Sequence, residues 1–146
     1  MLSWFTSPKC QKVNSEEVQT AMQRTYDFYL INTLPLTEQH CLIQGTLDAS
    51  REESILNEML NTLNIPDKRI IVYGKHNQDD SVYTKAAQLE QLGVRDVYIY
   101  IGGMFEWLML QELYGEDEFP TTSYDIDILK YKPLSSINTN RYLLTN

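Results

Sequence analysis

The run from Arg69 to Trp107, RIIVYGKHNQDDSVYTKAAQLEQLGVRDVYIYIGGMFEW, constrains this chain more than any other part. Ile70 to Tyr73 is a short block of β-branched and aromatic residues, the pattern of a strand buried on both faces. Gly74 to Asp80 is a polar loop. Ser81 to Leu92 then carries Val82, Ala86 and Leu89 at helical spacing, and Gly93 ends the helix where a left-handed residue is needed. Val97 to Ile101 is a second strand-like run, closed by a turn at Gly102–Gly103. A strand, loop, helix and strand of this length make two parallel neighbours joined by a crossover. In such a unit a ligand sits beyond the carboxyl end of the first strand, over the helix N-terminus. The question of function therefore falls on Gly74 to Asp80.

The flanking sequence extends the alternation. Asn14 is an N-cap with Glu17 three residues on, opening a helix with Val18, Ala21, Met22 and Thr25/Tyr26 on one face. Phe28 to Leu34 reads as a buried strand. Thr37 to Gln44 is a connection with an apolar patch, Cys41 to Ile43, and Gly45 turns it. Ser50 is the expected cap of the next helix, with Glu52 and Glu53 in its first turn. Ile55, Leu56, Met59, Leu60 and Leu63 form its apolar stripe, and Pro66 prevents its continuation. Met104 to Leu113 is apolar on nearly every side and is expected to be largely buried, with Gly115 as its end. Asp125 to Ile128 alternates like an edge strand. The expected organisation is an arm over residues 1–13, one α/β domain over 14–120, and a C-terminal extension over 121–146. Alternating strands and helices predict a mostly parallel central sheet.

With 146 residues the chain is long enough for one domain with one core. Its formal charge of −8 opposes binding to nucleic acid or anionic membrane. Cys10 and Cys41 are too few for a disulfide framework. No apolar stretch reaches the ~20 residues that span a bilayer, and the start lacks the order of a secretory signal. These features lead us to expect an intracellular, cytoplasmic protein with reduced thiols.

Ile71-Val-Tyr-Gly74, Leu92-Gly93 and Gly102-Gly103-Met-Phe-Glu-Trp107 together resemble a single rhodanese domain. That family has a similar strand before its active-site loop, a helix ending in leucine-glycine, and a Gly-Gly-x-x-x-Trp turn. Tyr29 to Leu34 resembles the strand that ends Asp-x-Arg in the family, and Leu42 to Thr46 its His-Ile-x-Gly-Ala turn. The resemblance implies a three-layer α/β/α fold and spans about residues 14 to 120. In the family the loop opens with a cysteine that carries sulfur as a persulfide. The matching residue here is Gly74, which has no atom to attack or to hold sulfur. The family's Asp, Arg and His correspond to Asn32, Leu34 and Leu42. The Cys-x5-Arg frame of related phosphatases falls on Gly74 and Asp80, so neither nucleophile nor phosphate-binding cation is in place.

The resemblance therefore implies a vestigial active-site loop, Gly74, Lys75, His76, Asn77, Gln78, Asp79 and Asp80, without catalytic, cofactor-binding or metal-binding residues. Asp79 and Asp80 would fill the place of an anion at the helix N-terminus. Three readings stay open. The first is a non-catalytic module that binds a protein near residues 74–80 or through the termini. The second is a thiol enzyme using Cys41, with His40 beside it, or a site built on His76, Asp79 and Asp80. Against these, Cys41 can be a small buried thiol, and Asp80 or Ser81 can simply cap the helix. The third is an assembly component, of the kind such domains form in large assemblies or large DNA viruses, self-associating through Met104–Leu113 or the arm. Glu116-Asp117-Glu118 reads as a solvated corner. Tyr98 and Tyr100 share one face of their strand, as core or as an exposed patch, and Trp107 packs the Gly-Gly turn.

Overall fold

The computed structural model describes residues 10–63, 65, 67–135 and 137. Four parallel strands form one sheet in the order β1-β4-β3-β2: β1 (Gln11–Val13), β2 (Phe28–Asn32), β3 (Arg69–Tyr73) and β4 (Val97–Tyr100). β3 lies in the middle, with Ile71 opposite Leu30 on one side and Tyr98 on the other. Residues Ile70 to Tyr73 are all buried, as expected of a strand covered on both faces.

Strand periodicity divides the core in two. On one face Leu30, Ile71, Tyr73 and Tyr100 meet Val18 and Ala21 of α1 (Ser15–Gln23) and Met104, Trp107 and Leu108 of α4 (Gly103–Tyr114). On the other, Ile31, Ile70, Val72, Val97 and Ile99 meet Met59 of α2 (Ala49–Thr62) and Val82, Ala86 and Leu89 of α3 (Ser81–Gln91). The result is the three-layer α/β/α arrangement. Tyr100 is buried and Tyr98 packs half-buried against the same core, so the tyrosine pair belongs to the core.

Local chemistry accounts for the element ends. Asn14 accepts from the Glu17 amide at 2.9 Å, and the Glu17 carboxylate accepts from the Asn14 amide at 3.1 Å, a complete capping box. Asp48, not Ser50, caps α2: its carboxylate accepts from the Arg51 amide at 2.8 Å, and Ser50 lies inside the helix. The carboxylate wins because it meets both that amide and the Ser50 hydroxyl.

Several other expectations change. Gln11–Val13 is not arm but an edge strand on β4, and residues 1–9 lie outside the described residues. The stripe on α2 is narrower than expected, since Met59 is buried while Leu60 and Leu63 are 58% and 82% exposed. Pro66 lies outside the described residues; the helix already ends at Leu63, whose φ is 55°. α4 is not buried all round, as Met109, Leu113 and Tyr114 are exposed.

Asp125 to Ile128 forms no strand; Ile128–Tyr131 is a short 3-10 turn. Its Tyr131 is fully buried beside α4, so the polypeptide after Pro120 contributes to the core. Trp107 ties this segment down. Its indole N–H donates to the Pro120 carbonyl at 3.1 Å, and its ring meets Phe119 edge-on at 5.0 Å. Among the described residues no helix is long and apolar enough to cross a membrane.

Candidate functional site

The loop Gly74–Asp80 leaves the carboxyl end of β3 and enters α3, at the position parallel topology reserves for a ligand. Its centre is the Asp79 carboxylate. Oδ2 accepts from the Lys75 amide at 3.0 Å, and Oδ1 accepts from the Ser81 amide at 3.0 Å and the Ser81 hydroxyl at 2.6 Å. Partial burial pushes the Asp79 carboxyl upward, but the Ser81 and Lys75 donors outweigh it and hold the group below its ordinary value. The carboxylate therefore sits where the loop amides and the start of α3 converge.

The cap of α3 is thus corrected. Asp80 precedes the helix but makes no side-chain cap bond, and Asp79 supplies the carboxylate instead.

Gly74 is buried against this carboxylate. A Cβ at residue 74 would lie 2.7 Å from Asp79 Oδ2 and 3.0 Å from Thr33 Oγ1. Thr33 in turn shares a hydrogen bond with the Ser81 hydroxyl at 2.7 Å. Residue 74 is therefore enclosed by polar groups that already bond one another.

α4 closes the loop from the opposite direction. The Met104 amide donates to the Gly74 carbonyl at 3.0 Å and the Phe105 amide to the Lys75 carbonyl at 2.9 Å. Gly103 permits this approach: its φ is +66°, and a Cβ there would stand 2.6 Å from the Gly74 oxygen.

Two other polar side chains of the loop, those of Lys75 and His76, are also engaged. Lys75 Nζ pairs with Glu38 at 2.6 Å, and His76 Nδ1 accepts from the Gln78 amide at 3.1 Å. His76, Asp79 and Asp80 do not converge, and no group of three or more potential metal ligands occurs among the described residues.

Cys41 is fully buried and its thiol donates to the Ser123 carbonyl at 3.2 Å. Burial pushes its pKa up, which opposes the thiolate a nucleophile needs. His40 does not serve it. His40 Nε2 lies 2.9 Å from Asp125, whose carboxylate also meets Lys130 at 2.6 Å and the Tyr131 hydroxyl at 3.1 Å. This cluster joins residues 85 positions apart, and nothing in the local sequence around His40 points to it. Cys10 donates to Glu90 at 2.7 Å, and burial together with that carboxylate pushes its thiol up to about 12.

The remaining matched positions, Asn32, Leu34 and Leu42, are buried, and Asn32 Oδ1 accepts from the Leu34 amide at 3.0 Å. Beneath the loop, the Tyr73 hydroxyl accepts from the buried Ile43 amide at 3.1 Å and bonds Thr46 Oγ1 at 2.6 Å.

The family model described as Rhodanese-like domain matches residues 25–110. No curated protein matches the chain. Among solved structures, a full-length Lactobacillus plantarum protein is 16% identical with a TM-score of 0.57, covering 77% of this chain and 88% of its own. A Bacillus halodurans protein is 17% identical with a TM-score of 0.56, covering 91% and 89%. A yeast protein tyrosine phosphatase of the rhodanese family is 16% identical with a TM-score of 0.55, covering 84% and 99%. At these identities the likeness concerns the fold alone. With the parallel sheet, the loop after its central strand and a family match over more than half its length, this chain belongs to the rhodanese-like domain family.

Proposed function

We propose that this protein is a non-catalytic rhodanese-like domain that works by binding another protein. One observation carries the reading: the space beside residue 74 is occupied by the Asp79 carboxylate. The resemblance places the sulfur-carrying cysteine at this position, and Gly74 offers no nucleophile. The amides that would receive an anion already have one, supplied by the chain. The buried Leu34 and Leu42, at positions the resemblance assigns to Arg and His, support the same conclusion, because apolar side chains there bind no anionic substrate.

Cys41 does not favour a thiol enzyme, since its side chain is fully buried and its thiol is bonded to the Ser123 carbonyl. A phosphatase reading is opposed by the same loop, which holds neither cysteine nor arginine.

The test is thiocyanate production from thiosulfate and cyanide, compared with a Cys10→Ser/Cys41→Ser double variant. Equal, background-level rates are expected. Turnover that disappears in the double variant would overturn the reading.

A further inference from the structure

An open groove of about 1280 Å³ lies between α1 and the end of α4, away from the loop just described. Its size exceeds the usual small-molecule pocket, about 300–1,000 Å³, and suits a stretch of polypeptide. Met22 and Leu110 lie half-buried along it, and Tyr114 is 66% exposed. Glu16 from α1 and Asp117 and Glu118 from the turn after α4 also line it, and among the described residues no lysine, arginine or histidine does. None of the three carboxylates has a cationic partner among the described residues. The carboxyl end of α4 adds to the negative field, for its last turn carries no basic side chain.

The walls are fixed before anything binds. Gln19 Nε2 of α1 donates to the Glu118 carbonyl at 2.7 Å and Gln111 Nε2 to the Phe119 carbonyl at 2.8 Å. With the Trp107 bond to Pro120, these contacts hold the turn on the helices. A preformed groove loses little freedom on binding.

We propose that this groove docks a basic segment of another protein, one that sets an aliphatic or aromatic side chain beside Tyr114 and places Lys or Arg near Glu16, Asp117 and Glu118. Charge complementarity selects this occupant. A second copy of this chain, with a net charge of −8, is repelled. The inference rests on the binding-module reading but assigns the contact to a different face from the loop.

The probe is a short fluorescent peptide of lysine and leucine, titrated against the whole protein by anisotropy. Glu16→Lys/Asp117→Lys/Glu118→Lys should weaken binding at least about tenfold, from three lost attractions the size of surface ion pairs. Glu53→Lys/Glu58→Lys/Asp96→Lys makes the same change of charge elsewhere and should leave affinity within about threefold. Tyr114→Ser should weaken binding, and a lysine–serine peptide should bind less well. Amide shifts in the unaltered protein should centre on Glu16, Leu110 and Tyr114, a readout that needs no variant to fold. Equal loss in the two charge-reversal variants, shifts centred elsewhere, or no saturable binding overturns the proposal. Sulfur transfer with intact peptide binding would remove the module reading and leave the groove in place.

Discussion

Gly74→Ala, Asp79→Ala and the double substitution form a cycle that isolates the contact at the loop. The backbone at Gly74 is not in the left-handed region, so alanine meets no strain of its own there. What it meets is Asp79 Oδ2 at 2.7 Å, on a carboxylate whose two oxygens together accept from three donors. Overpacking of this kind costs about 1–3 kcal/mol. It is offset by about 0.4–1 kcal/mol because alanine narrows the unfolded ensemble. Gly74→Ala should therefore destabilise by about 1–2 kcal/mol. Asp79→Ala should cost about 1–2 kcal/mol through the lost cap and bonds. In the Asp79→Ala background the clash is gone, leaving the Thr33 hydroxyl at 3.0 Å to give slightly. There Gly74→Ala should be neutral or mildly stabilising, a coupling of about 1–3 kcal/mol. Urea unfolding followed by tryptophan fluorescence measures each corner. Additivity within about 0.5 kcal/mol would refute the claim that Asp79 fills the space beside residue 74.

Tyr73→Phe leaves the buried Ile43 amide without its acceptor and should cost about 1–3 kcal/mol in urea unfolding. Gly103→Ala combines a φ of +66° with a 2.6 Å approach to a backbone oxygen, and should lower stability by about 1–3 kcal/mol or more. Asp125→Asn should cost about 1–2 kcal/mol at neutral pH and raise amide exchange over residues 121–131. The pH dependence follows from the sign of the shift: burial raises the Asp125 carboxyl, but Lys130 and His40 outweigh it and hold it well below the usual carboxylate range. Its contribution is therefore present above the unfolded value of about 3.9 and lost as the pH falls toward the lower folded one. The difference in stability between the unaltered protein and Asp125→Asn should shrink on acidification below about pH 4.

The parallel unit from Arg69 to Tyr100 was legible because both strands are short apolar blocks and Gly93 sits at φ +105° after a clean helical stripe. Such signals are local. The capping box at Asn14 is readable for the same reason. Gln11–Val13 was not: three residues with two exposed side chains carry no period, and only the open edge of β4 makes them a strand. Asp125 to Ile128 alternates in sequence, but no strand edge receives it, so the segment turns and buries Tyr131 instead.

At the site, Gly74 and the polar loop were visible, and an anion-like role for an aspartate at the start of α3 was too. Which aspartate was not visible, since Asp79 and Asp80 differ only in how the loop turns. Thr33 and Glu38 join the loop from the chain after β2, a juxtaposition set by tertiary packing.

Intact-mass spectrometry of the protein after incubation with thiosulfate asks most directly whether any residue carries sulfur. The account predicts an unchanged mass, with Cys10 and Cys41 both recovered as thiols. An added sulfur atom on the folded protein, discharged by cyanide, would contradict it.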